Sequence, residues 1–403
     1  MLGIPARKLA ALRLVISTLV VAWSSTTYAY PWMIKHDYTG CATCHTDPSG
    51  GFLLTEYGRA QTQTLLSSFG RVAEGAEPDS RSKFAFGVEL PKWLNLGVTQ
   101  RNLFLWQKPS EGPSDSRHIW MQSDARAALN FGAFEFAGSL GFAHQGGLAA
   151  SITSRPEDNV VSREFWVGYN LDEEHNKKIR VGRMYLPFGV RMIDHYYFVR
   201  NATQTNLDTQ QQYGVAYFQQ SESLRWEVMA IAGNYQIRPD KYRQRGYAGY
   251  LEYAAATRVG VGFSSLLTYQ GLSTNPGISG AALRGAHGPF VRWAPHSSLA
   301  LLSEWDLLHE GPTGGGDPIF GAAGFVQADW EFVPGLHAVL TPELIDTDFN
   351  AGSKGVGYRG WLTAAWFPYP HFDVRADLVK ANEPLGPTKM SYTMLLGQLH
   401  VSL

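Results

Sequence analysis

The sequence predicts an all-β protein in which about sixteen antiparallel strands close into one barrel, behind a small, loop-rich N-terminal module. Three observations predict it. From Lys83 to the C-terminus apolar and polar residues alternate with period two, the mark of strands whose two faces meet different surroundings. The strand-length segments are joined by connections that alternate between short and long. The longest apolar run is about ten residues, half of what a membrane-spanning helix needs, so any crossing of a bilayer falls to a closed barrel.

Composition narrows the function classes. Of 403 residues, 17% are charged and 13% aromatic, with 34 Lys and Arg against 35 Asp and Glu. Such a chain has too many aromatics and too little net charge for disorder, and no basic footprint for nucleic acid. Two cysteines cannot make a disulfide scaffold.

In chain order, residues 1–29 read as a signal peptide. Arg7, Lys8 and Arg13 precede an apolar stretch from Leu14 to Trp23, and Thr27-Tyr28-Ala29 fits the small-x-small cleavage pattern. Cleavage after Ala29 removes three basic residues and takes the net charge from −1 to −4.

Residues 30–82 form the small module, and it holds both cysteines. Cys41-Ala42-Thr43-Cys44-His45 is a C-x-x-C-H motif, the attachment site of a c-type haem. Two thiols one turn apart can each form a thioether to the porphyrin, and the adjacent His45 can reach the iron as proximal ligand. A redox dithiol leaves His45 unexplained and lacks a surrounding βαβ pattern. A zinc site needs further thiol or imidazole ligands at matching spacing, and none follows nearby. For the second axial position Met33 and His36 lie close upstream; His337, His371 and an open site are the alternatives. Pro48-Ser49-Gly50-Gly51 is a turn cluster, and Thr55 stands at an N-cap-like position before a helix to Leu66. Glu74 to Ser80 reads as a linker.

Residues 83–403 form the barrel domain. Val326, Ala328, Trp330 and Phe332 share one face while Gln327, Asp329 and Glu331 share the other. Phe372, Val374, Ala376 and Leu378 oppose Asp373, Arg375 and Asp377, and Leu299, Leu301, Trp305 and Leu307 oppose Glu304 and Asp306. Strands are expected at 94–107, 117–130, 133–145, 160–171, 178–189, 211–220, 224–236 and 245–256. The remaining eight are expected at 258–271, 282–294, 297–309, 318–332, 336–346, 355–369, 372–382 and 392–403. Tight turns fall at Phe131-Gly132, Thr257, Pro295-His296, Val333-Pro334-Gly335 and Pro370-His371, and the connections between them run from about eight to twenty residues. An even strand number, loops segregated by length and both termini at the short-turn end make the pattern of an outer-membrane barrel. Trp93, Trp106, Trp120, Trp330, Trp366 and Tyr369 near strand ends suit its aromatic girdles.

Other motifs return nothing. Gly355-Val356-Gly357-Tyr358-Arg359-Gly360 matches a dinucleotide fingerprint literally but precedes a strand, with no helix after it. Glu173-Glu174 sits in a polar turn.

A single C-x-x-C-H segment directly ahead of a barrel-length run of strands resembles the fused outer-membrane mono-haem cytochrome–porins, whose best-known members are iron oxidases. The likeness rests on Thr39-Gly40-Cys41, the haem motif and Leu54-Thr55-Glu56-Tyr57-Gly58-Arg59, which looks like that family's L-T-x-aromatic-G-R segment. Ile34-Lys35-His36-Asp37-Tyr38 and Ala60-Gln61-Thr62-Gln63 depart from its pattern. The resemblance implies one covalent haem c, in or beneath the lumen of a bacterial outer-membrane barrel. It implies an electron conduit between an extracellular donor, Fe(II) among the candidates, and a periplasmic c-type cytochrome or other carrier, with outer-membrane lipid around the wall. Asp115, His118, Asp194, His195, His309 and Glu310 are the candidate outer-loop ligands for such an ion. Two alternatives stand beside it: a solute porin with a tethered haem module for periplasmic electron transfer or sensing, and a haem enzyme such as a peroxidase.

Overall fold

The computed structural model describes residues 30–403 apart from 52, 73–76, 143–159, 238, 276 and 386–387. The expected signal peptide therefore lies outside the described residues, as do part of the linker and the end of the third expected strand. The wall opens with β1 (Leu94–Pro109), β2 (Asp115–Phe131), β3 (Phe134–Phe142), β4 (Val160–Val161), β5 (Phe165–Asn170) and β6 (Lys177–Met184). It continues through β7 (Gln212–Gln220), β8 (Leu224–Gly233), β9 (Arg245–Ala256), β10 (Val259–Gln270), β11 (Ala282–His296) and β12 (Leu299–Pro312). The last five are β13 (Ile319–Val333), β14 (Leu336–Asp346), β15 (Val356–Tyr369), β16 (Phe372–Leu385) and β17 (Thr388–Ser402).

Every pairing is antiparallel between neighbours, and β1 returns to β17, with Thr99 opposite Ser402 and Pro109 opposite Tyr392. The sheet thus has no free edge, as a bilayer requires. The short β4 and β5 both lie on β3, interrupted by Ser162–Glu164, so the seventeen segments make sixteen traverses. That interruption was not expected within 160–171. Its cause is polar: Arg163 is drawn fully into the lumen, to Asp124 and Asp208, and leaves the ladder.

Two strand ends differ from expectation for physical reasons. The strand expected to reach 189 stops at Met184, because Tyr185–Val190, with Pro187 and Gly189, turns inward and is buried in the lumen. The last two strands extend toward each other until Leu385 faces Thr388. What was expected as a long outer connection is therefore two residues. For most connections the segregation holds: two or three residues join β2 to β3, β7 to β8 and β9 to β10, against 27 between β6 and β7, while the six of β5–β6 at the short-turn end exceed the five of β1–β2 at the other.

The alternation has its expected sense. Val326, Trp330 and Phe332 point outward and are about half exposed, while Gln327, Asp329 and Glu331 are buried inside. Trp93, Phe131, Phe134, Tyr253, Trp293, Trp330 and Tyr369 ring the short-turn end of the outer face, and Trp120, Tyr235, Tyr247, Tyr269, Phe320 and Tyr358 ring the other. Such paired aromatic belts suit the two interfaces of a bilayer. The long β6–β7 connection carries α2 (Phe198–Thr203), which packs inside the wall against β12, β13 and β14. Its predecessor in sequence, α1 (Glu56–Gln61), belongs to the N-terminal segment, and Thr62–Leu66 continues it as a wider turn.

Candidate haem-attachment site in the barrel lumen

The described residues of 30–70 precede the barrel in sequence and lie in its lumen or at its short-turn rim, where Phe69 packs on Trp366 and Tyr369. A 3-10 helix, Pro31–His36, opens the segment, with Pro in its first turn, where no N–H is needed. It buries Trp32, Met33 and Ile34 and carries Lys35 to the wall, where the ammonium is 3.0 Å from both Asp329 and Glu331 of β13. Trp32 covers that ammonium at 4.4 Å, and His337 Nδ1 is 2.8 Å from Asp329. Farther along, Asp47 meets Arg180 of β6 at 3.3 Å, and Arg59 donates to the Leu96 carbonyl of β1 at 2.9 Å. Ser68 and Phe69 donate their N–H groups to the Phe367 and Pro368 carbonyls of β15, each at 2.8 Å. Anchors on four separated strands make the segment a plug across the lumen. Inward-facing charges that would line water in an open channel are buried: Arg180, Glu227 and Glu304 are at most 1% exposed. Burial alone would raise the Asp47 carboxyl, but the Arg180 and Arg191 charges outweigh it and hold Asp47 below the ordinary carboxylate range.

The C-x-x-C-H stretch is one tight turn within this plug. The N–H groups of Cys44 and His45 both donate to the Cys41 carbonyl, at 3.1 and 3.0 Å. A short antiparallel bridge pairs His45 with Leu54, and Thr55 donates back to the Cys44 carbonyl at 2.9 Å. Thr55 then caps α1, its hydroxyl accepting from Gly58 N–H at 3.0 Å. A Cβ at Gly58 would lie 2.3 Å from the Cys44 carbonyl oxygen, so only glycine lets the helix press against the turn. Arg59 is buried beside it and reaches the Leu54 carbonyl. The Leu54–Arg59 segment therefore works as the back support of the cysteine turn.

Cys41 and Cys44 are both free thiols and line one cleft of about 640 Å³ of empty space, shared with Met33, Phe188, Tyr250 and Phe290. Three arginines reach the same cleft: Arg225 Nη1 is 2.9 Å from Cys41 Sγ, and Arg191 and Arg292 lie alongside. Glu252 balances two of them, 2.7 Å from Nε of Arg225 and of Arg292. Burial, with Cys41 adding to it, pushes the Cys44 thiol up to about 12, so it stays protonated at neutral pH. His45 is 3% exposed and faces the other way. It lines a larger cavity at the short-turn mouth, about 1840 Å³ of empty space opening to solvent, and Gly51 N–H donates to its Nδ1 at 3.3 Å. The donor set, two thiols on one turn with an imidazole next to them, is of the kind that a covalently attached haem takes. The turn is the partition between the two cavities.

The remaining expected site residues are scattered. Met33 lies on the thiol side; His36 turns away, its Nε2 3.5 Å from Glu331. His337 belongs to the Lys35 cluster. His371 is buried in its turn and held near 4, well below the ordinary imidazole value, by burial and the Arg59 charge. Asp115 pairs with Arg117, Asp194 with Arg375 at 2.7 Å, and Glu310 accepts from Ser273 at 2.6 Å. His195 packs at a tilt against Tyr196, and His309 stacks on His287 on the outer face. The six outer candidates do not converge, and among the described residues no group of three or more His, Cys, Asp and Glu is arranged to hold a metal ion. Sequence reasoning missed the arginines around the thiols; alternation points Arg225 and Arg292 inward, but only the fold shows that the cysteines meet them there.

No family profile matches the sequence, and no curated protein matches it either. Solved structures do match. The chain is similar to the anion-selective porin from Comamonas acidovorans (12% identity, 77% of this chain and 99% of that one, TM-score 0.57). It is similar to OmpF of Salmonella typhi, solved with daunomycin (12%, 77% and 97%, 0.55), and to the outer-membrane channel DcaP of Acinetobacter baumannii (14%, 76% and 96%, 0.53). The share covered is about the size of the barrel domain alone. At such identities the likeness speaks for architecture, and the architecture is the closed sixteen-stranded antiparallel barrel of outer-membrane porins.

Proposed function

We propose that this porin-type barrel sits in a bacterial outer membrane and passes electrons across it through one haem c attached at Cys41 and Cys44, with His45 as an axial ligand. The observation that carries the reading is the position of the C-x-x-C-H turn: it lies inside the lumen, within a segment that fills the channel. A haem bound there supplies a reversible one-electron couple. The chain does the rest. Asp47, Lys35 and Arg59 fix the turn to the wall, Gly58 and Thr55 brace it from behind, and the buried lumen charges leave little room for solute. The donor on the long-loop side and the carrier on the short-turn side, a periplasmic c-type cytochrome or similar, follow from this reading. Fe(II) is a candidate donor with no assembled site among the six expected residues, of which Asp115 and His118 lie in β2 and His309 and Glu310 in β12.

A second reading, a solute channel with a tethered haem module for periplasmic electron transfer or sensing, is favoured by the comparisons, since the solved neighbours are named as porins and channels. One preparation separates the two. Purified protein is placed in liposomes in known orientation, and Fe(II) or an impermeant reductant is added at the long-loop side while haem absorption and solute efflux are followed. Reduction without efflux supports the conduit. Efflux with a haem reducible only from the short-turn side supports the channel.

A further inference from the structure

The cleft that the two thiols face holds charge and hydrogen-bonding capacity that the chain itself leaves unused. Three guanidiniums line it, Arg191, Arg225 and Arg292, and among the described residues no carboxylate does. Glu252 stands behind two of them, accepting from Nε of Arg225 and of Arg292 at 2.7 Å each, and so offsets one of the three charges. Arg292 gives its other nitrogens to the Pro31 and Thr39 carbonyls, and Arg225 turns Nη1 to Cys41 Sγ. Arg191 is placed differently. One of its terminal nitrogens donates to Ser49 Oγ, while Nη1 is buried with no hydrogen-bond partner among the described residues. Asp47, whose carboxyl feels the Arg191 charge, makes its own close pair with Arg180. Tyr250 of β9 lines the same cleft at 7% exposure, and its hydroxyl is likewise buried without a partner. Buried donors left unpaired are rare because they are costly. Two of them beside an excess of positive charge mark the place of a negatively charged acceptor. Gly50 keeps that place open: a Cβ there would lie 3.3 Å from Cys41 Sγ and 3.5 Å from Arg191 Cγ. Met33, Phe188 and Phe290 make the rest of the lining apolar. An apolar body that ends in a carboxylate is the chemistry such a lining recognises.

We propose that this cleft is a carboxylate site, in which Arg191 Nη1 and the Tyr250 hydroxyl donate to an organic carboxylate while Arg225 and Arg292 supply the surrounding charge. The carboxylate has two sources, the propionates of a haem tethered at Cys41 and Cys44 or a free organic acid. The thiols line the same cleft, so the tethered ring is the nearer source; that part rests on the haem reading above, and the site itself does not. The test compares the full-length haem-loaded protein with the full-length Cys41→Ala/Cys44→Ala variant, both checked for heat-modifiable barrel mobility, and uses benzoate as the free carboxylate. Titration calorimetry should show benzoate binding to the haem-free variant, weakened about tenfold by Arg191→Gln or by Tyr250→Phe. The haem-loaded protein, its site filled, should bind none. In that protein the same two substitutions should shift the propionate bending band in the resonance Raman spectrum and leave covalent haem per barrel unchanged, whereas Arg243→Gln at the long-loop end should change neither. Equal benzoate binding in the haem-loaded protein, with the Raman band unmoved, overturns the tethered ring as the source and supports the site for a free acid. No benzoate binding in the haem-free variant, together with an unmoved band, overturns the site. A wild type without covalent haem that still binds benzoate overturns the haem reading and leaves the site standing.

Discussion

The outer wall and the plug interface are built by opposite rules. On the wall, large apolar side chains such as Phe104, Leu140, Leu340 and Leu362 face outward with no partner of their own, and any apolar residue there meets the same solvent. Inside, beside the apolar packing of Trp32, Met33 and Ile34, the polar contacts are pairs across a long sequence distance: Lys35 with Asp329, Asp47 with Arg180, Cys41 with Arg225. The wall tolerates exchange because its free energy depends on area. The plug does not, because its buried charges depend on particular partners, and losing one leaves the others short of a counter-charge.

The sharpest break of this comparison is at the cysteines. Cys41→Ala with Cys44→Ala should abolish covalent haem on a denaturing gel while the barrel keeps its heat-modifiable mobility; haem staining that survives the double variant would remove the attachment site from the account. Next in size is Lys35→Ala, which takes the ammonium from Asp329 and Glu331. It should cost about 3–5 kcal/mol and raise single-channel conductance in planar bilayers as the plug loosens, whereas Leu340→Val on the wall should cost less than about 1.5 kcal/mol and leave conductance unchanged. Equal effects of the two would dissolve the distinction. Gly58→Ala presses a methyl into the Cys44 carbonyl and should cost about 1–3 kcal/mol, read as a lower haem yield per barrel. Acid comes after that. Asp47 is held below its ordinary 3.8 in the folded state, so its contribution is complete above about pH 4 and is lost as pH falls through the lower folded value. Protease release of the plug should therefore stay flat from pH 8 to 5 and rise only in stronger acid; a rise near pH 6 would point to a histidine instead. The smallest effect belongs to Asp37→Asn, which removes a half-exposed pair with Arg258 and should change stability by no more than about 1 kcal/mol.

The same contrast explains what could be read from the sequence. Strand positions, the sense of alternation at Val326–Phe332 and the aromatic belts were legible because they depend on local periodicity and on bulk environment. The Thr55 cap was legible for the same reason, and α1 begins at Glu56 as expected. The break at Ser162–Glu164 was not, since it depends on Arg163 finding Asp124 and Asp208. Nor was α2: Phe198–Thr203 has no clear periodicity and is held by its surroundings, the Phe198 N–H donating to Glu343. At the site, residue types and spacing disclosed the cysteine turn, but not that it lies inside the barrel, nor that His45 and the thiols face different cavities. Depth within a lumen depends on which walls close round it, and that has no local trace.

The seam between β1 and β17 fixes an order of events. The plug precedes β1 in the chain, yet it ends enclosed by a wall whose last pairing needs the final residues, Tyr392–Ser402. Once that seam is zipped, the thiols of Cys41 and Cys44 face a cleft lined by arginines and aromatics inside the wall. On the proposed haem attachment, modification of the cysteines belongs before that closure, and the barrel assembles around a finished cargo. A chain that closes too early is sealed with bare thiols inside, and maturation becomes a race between two reactions on one polypeptide.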